Sequence, residues 1–211
     1  MDIYVNEKKI DFSPDFPLSW KDLFYKLLNE NHIEGSHSII ELTVDDVDSL
    51  QVVTTEASGE MVPEESREVR MKTRDSRVVA GSTLEKISPL IENMKSEILS
   101  AANLYKEKNI MEASSKIAAI MEAFKSIIQF INSVGVGFSI DFDKLVYDDT
   151  TSVAGKMESF TKTFSNIVTV QREKRYEKMA GFLRDQFLED MTAWNRIVSI
   201  ILEEIEEGEE K

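Results

Sequence analysis

The sequence predicts an α+β protein, with a small β-rich N-terminal module followed by an antiparallel four-helix bundle. Three observations lead there. Apolar residues alternate with a period of two in the first 75 residues. From Ser82 onward they recur at alternating steps of three and four. The polar stretch TRDSRVVAGS lies between the two patterns. The boundaries that follow are a module over 1–75, a linker over 76–81, a bundle over 82–207 and an acidic tail over 208–211.

The module begins MDIYVNEKKIDF. Ile3 and Val5 alternate, then Ile10 and Phe12. Asn6-Glu7 falls between them and predicts a hairpin turn, although the favoured Asn-Gly pair is missing. In SWKDLFYKLLNEN, Ser19 and Asp22 form a capping-box pattern, and Leu23, Phe24, Leu27 and Leu28 make one helical face. Ile40, Leu42 and Val44 then alternate in SIIELTV, and LQVVTT and REVRMKT predict further strands. The loop EASGEMVPEES (56–66) is polar and acidic, and is expected to be mobile. This order of strand, strand, helix and two or three strands resembles the β-grasp (ubiquitin-like) arrangement. Conjugating members of that group act through a C-terminal Gly-Gly. Here the chain runs on through TRDSRVVAGST and ends EEGEEK, so the resemblance implies a recognition module without conjugation chemistry.

Ser82 and Glu85 predict the start of the first long helix. Its seam is Leu84, Ile87, Ile91, Met94, Ile98, Ala101 and Tyr105, and Pro89 predicts a kink or a start at Ser88. The second seam is Ile110, Ala113, Ile117, Ile120, Phe124, Ile127, Ile131 and Val134. The third is Val153, Met157, Phe160, Phe164 and Ile167. The fourth is Ala180, Leu183, Phe187, Met191, Trp194, Val198, Ile201 and Ile205, with one extra residue between Phe187 and Met191. EKNI at 107–110 is echoed by EKRY at 173–176, and each predicts a tight polar corner. A repeat array needs at least three similar units, and no third copy occurs. Two helical hairpins joined by a long connection therefore fit better than a solenoid. Neither Gly nor Pro marks the second corner, so a single helix over 152–206 is the competing expectation.

The connection SVGVGFSIDFDKLVYDDTT is long for a bundle. Gly135 and Gly137 are expected to end the second helix. A crossover packed on the bundle and a partner-binding segment are both open. The fourth helix also carries more apolar residues than one stripe needs. Phe138, Phe142, Tyr147, Leu188, Ile197 and Ile200 are the candidate partner-binding residues.

Charge narrows the function. The net charge of −14 is uneven: residues 1–75 hold 17 acidic and 8 basic side chains, and EEIEEGEEK holds 6 and 1. Such surfaces repel phosphate backbones and anionic lipids, so neither nucleic acid nor membrane is an expected partner. The basic run QREKRYEK is interrupted by Glu173 and Glu177 and predicts a solvated helix end. The chain has no cysteine, which excludes disulfides and Cys-ligated zinc. No signal-like or membrane-spanning run is apparent, and a cytoplasmic location is expected. His32 and His37 lie around Gly35 and are expected at the surface. Asp45, Asp46 and Asp48 lack the Gly and distal Glu of a calcium loop. No phosphate-binding or nucleophile motif occurs, so no metal, cofactor or catalytic residue is assigned.

The long helices, the corner EKNIMEASSKIAAI and the closing helix FLRDQFLEDMTAWNRIV resemble the flagellin-specific export chaperones. Those are cytoplasmic bacterial helical bundles that hold the helical end of flagellin. The β-rich module departs from that pattern, and no functional residue carries over. The resemblance implies a non-enzymatic protein that binds an amphipathic helix of a partner. Nine methionines suit an adaptable apolar surface. The alternatives are an assembly subunit that self-associates through its helices, and an enzyme with a carboxylate site.

Overall fold

The computed structural model describes residues 1–12, 16–53 and 57–208. The protein is mixed α+β and divides into two compact units, Met1–Val79 and Ala80–Lys211.

The first unit carries a five-stranded sheet. Its strands are β1 (Asp2–Val5), β2 (Lys8–Ile10), β3 (His37–Val44), β4 (Val47–Asp48) and β5 (Glu68–Asp75), in the order β2-β1-β5-β3-β4. β1 and β5 are parallel, and the other neighbours are antiparallel. Asn6 and Glu7 make the first hairpin turn with φ of 48° and 68°. Positive φ at both central residues matches the right-handed twist of the flanking strands. Asn6 adds a clip: its amide donates to Thr73 Oγ1 at 2.9 Å and its Oδ1 accepts from the Thr73 N–H at 2.8 Å. Asp45 and Asp46 (φ 48° and 66°) turn β3 into β4, and Asp45 Oδ1 accepts from the N–H groups of Arg67 and Glu68.

Helix α1 (Trp20–Asn29) is capped by Ser19, whose Oγ accepts from the Asp22 N–H at 3.1 Å. It buries Trp20, Leu23 and Leu27 with Ile3, Leu42, Val69 and Met71. Leu28, expected on this face, is 38% exposed, and Trp20 is buried beside Leu23 and Leu27 instead. The alternation expected at Ile40 shifts because β3 bulges between Ile39 and Glu41, so Ile39 meets the core. Residues Leu50–Val53 form a 3₁₀ turn rather than the expected strand. Asp48 Oδ1 accepts from the Leu50 N–H and pulls the chain off the sheet edge, dropping Val52 into the core. Thr54, Thr55 and Glu56 lie outside the described residues. The 57–66 loop, expected to be mobile, is tied down: Trp20 N–H donates to Glu60 O, Val62 N–H donates to Leu18 O, and Val62 is buried.

Residues 76–81, expected as a linker, are the first turns of α2 (Ser76–Lys106). Asp75 Oδ1 accepts from the Arg77 and Val78 N–H groups and caps this helix at its true start. Ser82 and Glu85 therefore sit inside the helix, as does Pro89. α3 (Ile110–Gly137), α4 (Val153–Arg172), α5 (Tyr176–Phe182) and α6 (Leu188–Glu207) complete the second unit. All four expected seams contribute to one core, with Ile110, Met157 and Phe164 half-buried at its margin. A π-helical turn at Leu183–Phe187 joins α5 to α6. It absorbs the extra residue in the fourth seam, so Leu183, Phe187 and Met191 all point inward.

The two corners are equivalent. Lys108 (φ 64°) and Lys174 (φ 57°) take the left-handed conformation that a Gly would otherwise supply. The second corner separates α4 from α5, so 152–206 is not one helix. Tail residues 209–211 lie outside the described residues.

Candidate functional site

The candidate partner-binding residues are largely spoken for by their own chain. Ile197 is fully buried in the helical core, and Phe138, Phe142, Tyr147, Leu188 and Ile200 are half-buried against it. The joining segment is bound down by Ile140 N–H to Gly135 O, Ala154 N–H to Phe142 O and Val153 N–H to Leu145 O. A small hairpin, β6 (Val146–Asp148) with β7 (Thr151–Ser152), leads into α4, which Ser152 caps. Arg196 stacks over Tyr147 at 4.9 Å, fixing the hairpin to α6. The apolar surplus of α6 has the same cause. This helix meets α2 through Leu202 near Gly81 and Asn195 to Glu92, and β6 along another side. A helix covered on several sides needs more than one stripe. The six residues thus form no exposed strip.

Part of the exposed apolar surface lies on α3, at Met111 and Val136. Residues 126–140 contain no charged side chain. Among the described residues, α3 is the helix long and apolar enough to cross a membrane by length and composition, with mean hydropathy 1.3 over its best window. Only 33% of that window is buried. Its seam fills the core, and much of its remaining surface is small or apolar: Ala118, Ala119, Ala123 and Val136 are exposed. Between α3 and α4 lies an open groove of about 470 Å³. Ala118, Met121 and Ile128 form one wall, and Phe160 and Phe164 the other.

The floor is rigid. Phe124, Phe160, Phe164, Phe187 and Trp194 make one ring cluster, with Phe124–Phe160 centroids 4.6 Å apart and Phe124–Trp194 5.0 Å in an edge-on pair. Rings locked in this way have little rotamer freedom left to lose on binding a partner. Glu122 and Lys125 stand on the rim 3.8 Å apart. Both are mostly exposed, so the pair contributes little energy and leaves both ends free to meet a partner's charges.

Three carboxyl groups of the helical unit are shifted from their usual range. Desolvation raises the carboxyl of Asp190 above its usual range, against a hydrogen bond with Thr163 and the Lys156 charge, which lower it. Asp141 is lowered by its bond to Lys144, and Asp148 by the Thr150 N–H. Among the described residues no group of three His, Cys, Asp or Glu is placed to hold a metal. His32 pairs with Glu30 at 3.4 Å and His37 with Glu34 at 3.2 Å.

The groove was missed because the sequence argument looked for surplus apolar residues on the fourth helix. The available signal was Ala118, Met121 and Ile128, which add to the α3 seam more small and apolar residues than one buried stripe requires.

The chain is a mixed α+β protein with an open groove in its helical unit. Residues 82–197 match the family described as a domain of unknown function (DUF8042), and the chain belongs to that family. The match covers every groove residue and lies wholly within the second unit. No curated protein and no solved structure matches the chain.

Proposed function

We propose that this is a non-enzymatic protein-binding protein, an export chaperone or adaptor of the cytoplasm, that holds an amphipathic helix of a partner in the α3–α4 groove. The observation that carries it is the open groove itself, walled by Ala118, Met121, Ile128, Phe160 and Phe164, with Glu122 and Lys125 at its rim. Ala118, Met121, Lys125 and Ile128 recur at steps of three and four along α3, the spacing a docked helix reads. The finer architecture supports the same reading. Four apolar seams around one core favour an antiparallel four-helix bundle like that of the flagellin-specific chaperones. The order β2-β1-β5-β3-β4, with β1 and β5 parallel and α1 on one face, favours a β-grasp-like recognition module.

The test is site-specific photo-crosslinking from position 118, an exposed groove residue, in the native cell. The expected result is a crosslink to an amphipathic helical segment of another protein, lost when Met121→Glu is introduced at unchanged melting temperature. No crosslink, or one that survives the charge, would refute the groove.

An assembly subunit is the second reading. The exposed Ala118, Ala119 and Ala123 would let a like helix approach closely. A crosslink only to a second copy, with a matching dimer by sedimentation, selects it.

A further inference from the structure

A second cavity, of about 390 Å³, opens where the two corners of the helical unit meet. The corners close by the same three backbone bonds. In the first, Glu107, Lys108 and Asn109 donate to Asn103, Tyr105 and Leu104. In the second, Glu173, Lys174 and Arg175 donate to Thr169, Gln171 and Val170. Side chains lock the corners together. Tyr105 and Tyr176 stack with centroids 6.0 Å apart and planes at 13°. Gln171 Nε2 donates to Tyr105 Oη at 3.2 Å, and that hydroxyl shares a hydrogen bond with Ser114 Oγ at 3.0 Å.

Four cations line this cavity, Lys108, Lys174, Arg175 and Lys178, against one carboxylate, Glu177. Arg175 is engaged by Glu173 at 3.0 Å. Lys108, Lys174 and Lys178 have no ion pair among the described residues. In a chain of net charge −14 this is a local reversal of sign. The run QREKRYEK alone reads as a solvated helix end. The fold adds Lys108 from 66 residues upstream, which the sequence does not juxtapose. Three unpaired ammonium groups around one concavity focus field on a small anion. A lysine ammonium suits phosphate as a point charge. The cavity volume is that of a small-molecule site. Its wall is also partly apolar, through Tyr176 and Ile110.

We propose that the corner cavity binds a small phosphate-bearing molecule, with the phosphate on Lys108, Lys174 and Lys178 and its apolar part on Tyr176 and Ile110. This does not depend on the α3–α4 groove.

The test is titration of the full chain with phenyl phosphate, inorganic phosphate and benzoate, followed by backbone amide shifts. Phenyl phosphate is expected to saturate, with shifts confined to residues 105–110 and 171–178, and to bind more tightly than either other probe. Lys108→Gly and Lys174→Gly remove the charge at positions where Gly suits the backbone, so the corners stay folded. Each is expected to weaken binding about tenfold or more, a loss of about 1.4 kcal/mol. The site is refuted by shifts spread over lysines across the surface, by no saturation, by benzoate or inorganic phosphate binding as tightly as phenyl phosphate, or by Gly variants that bind unchanged.

Discussion

The ring of Phe142 occupies the space that a side chain at Gly135 would need. A Cβ on Gly135 would stand 2.6 Å from Phe142 Cζ and 2.7 Å from Cε2, inside van der Waals contact. Gly135 lies in the last turn of α3 and is buried. A side chain at this position would have to displace the Phe142 ring. Gly135→Ala is expected to cost about 1–3 kcal/mol by overpacking. Phe142→Ala removes the clash, so the double variant should be less destabilised than the sum of the two. Denaturant midpoints of the four proteins check this. Additive losses would mean that the ring moves aside freely.

The first hairpin carries strain that one substitution removes. Glu7 sits at φ 68°, which costs an ordinary residue about 1–2 kcal/mol, against about 0.5–1 kcal/mol for the extra entropy a Gly loses on folding. Glu7→Gly should stabilise the protein by about 0.5 kcal/mol. Asn6 is the wrong place for the same change, because its side chain clips Thr73 on both sides. A thermal melt showing Asn6→Gly as stable as Glu7→Gly would contradict this assignment.

The helical seams were legible because burial on a helix obeys one period. Leu84, Ile91, Ile98, Ile117, Phe124 and Ile131 are all fully buried where the pattern put them. The first hairpin turn, at Asn6-Glu7, was legible as a turn, though not its positive φ. What failed depended on contacts distant in sequence. The start of α2 was set by the Asp75 side chain, not by the Ser82–Glu85 pattern. Val52 left the sheet because a neighbouring aspartate bent the chain. The groove and the corner cavity needed partners from α4 and from the second corner, which no window of sequence contains.

The ring cluster should dominate the stability of the helical unit. Phe124 is fully buried and touches Phe160, Phe164 and Trp194. Phe124→Ala is expected to cost about 3–5 kcal/mol, from lost transfer energy and the cavity left behind. Phe164 stands half-exposed at the groove, so Phe164→Ala should cost clearly less while weakening partner capture more. Urea unfolding compared with crosslinking yield separates the two roles. Equal stability losses would place Phe164 in the core and not at a binding surface.

Asp190 sits at 7% exposure on α6, with Oδ2 lacking any hydrogen-bond partner and Thr163 beside it. Burial disfavours its charged form, so the folded value is raised above the ordinary 3.8. The sign for stability follows from proton counting. Between the unfolded and the folded value, the folded state holds more protons than the unfolded one. Stability therefore falls as pH rises through that window, and the cost is fully present above the folded value. Lys156 and Glu189, the charged neighbours, act in opposite directions and do not remove it. Asp190→Asn keeps a side chain able to bond Thr163 and deletes the charge. At neutral pH it should be more stable than the wild type by on the order of 1 kcal/mol, because the desolvated charge is gone. The gain should shrink as pH falls and vanish below the unfolded value, where Asp190 is protonated in both states. Paired denaturant curves for the two proteins at neutral and acidic pH cancel the titration of every other group. A variant destabilised equally at both would mean that the geometry of the Thr163 bond outweighs the buried charge.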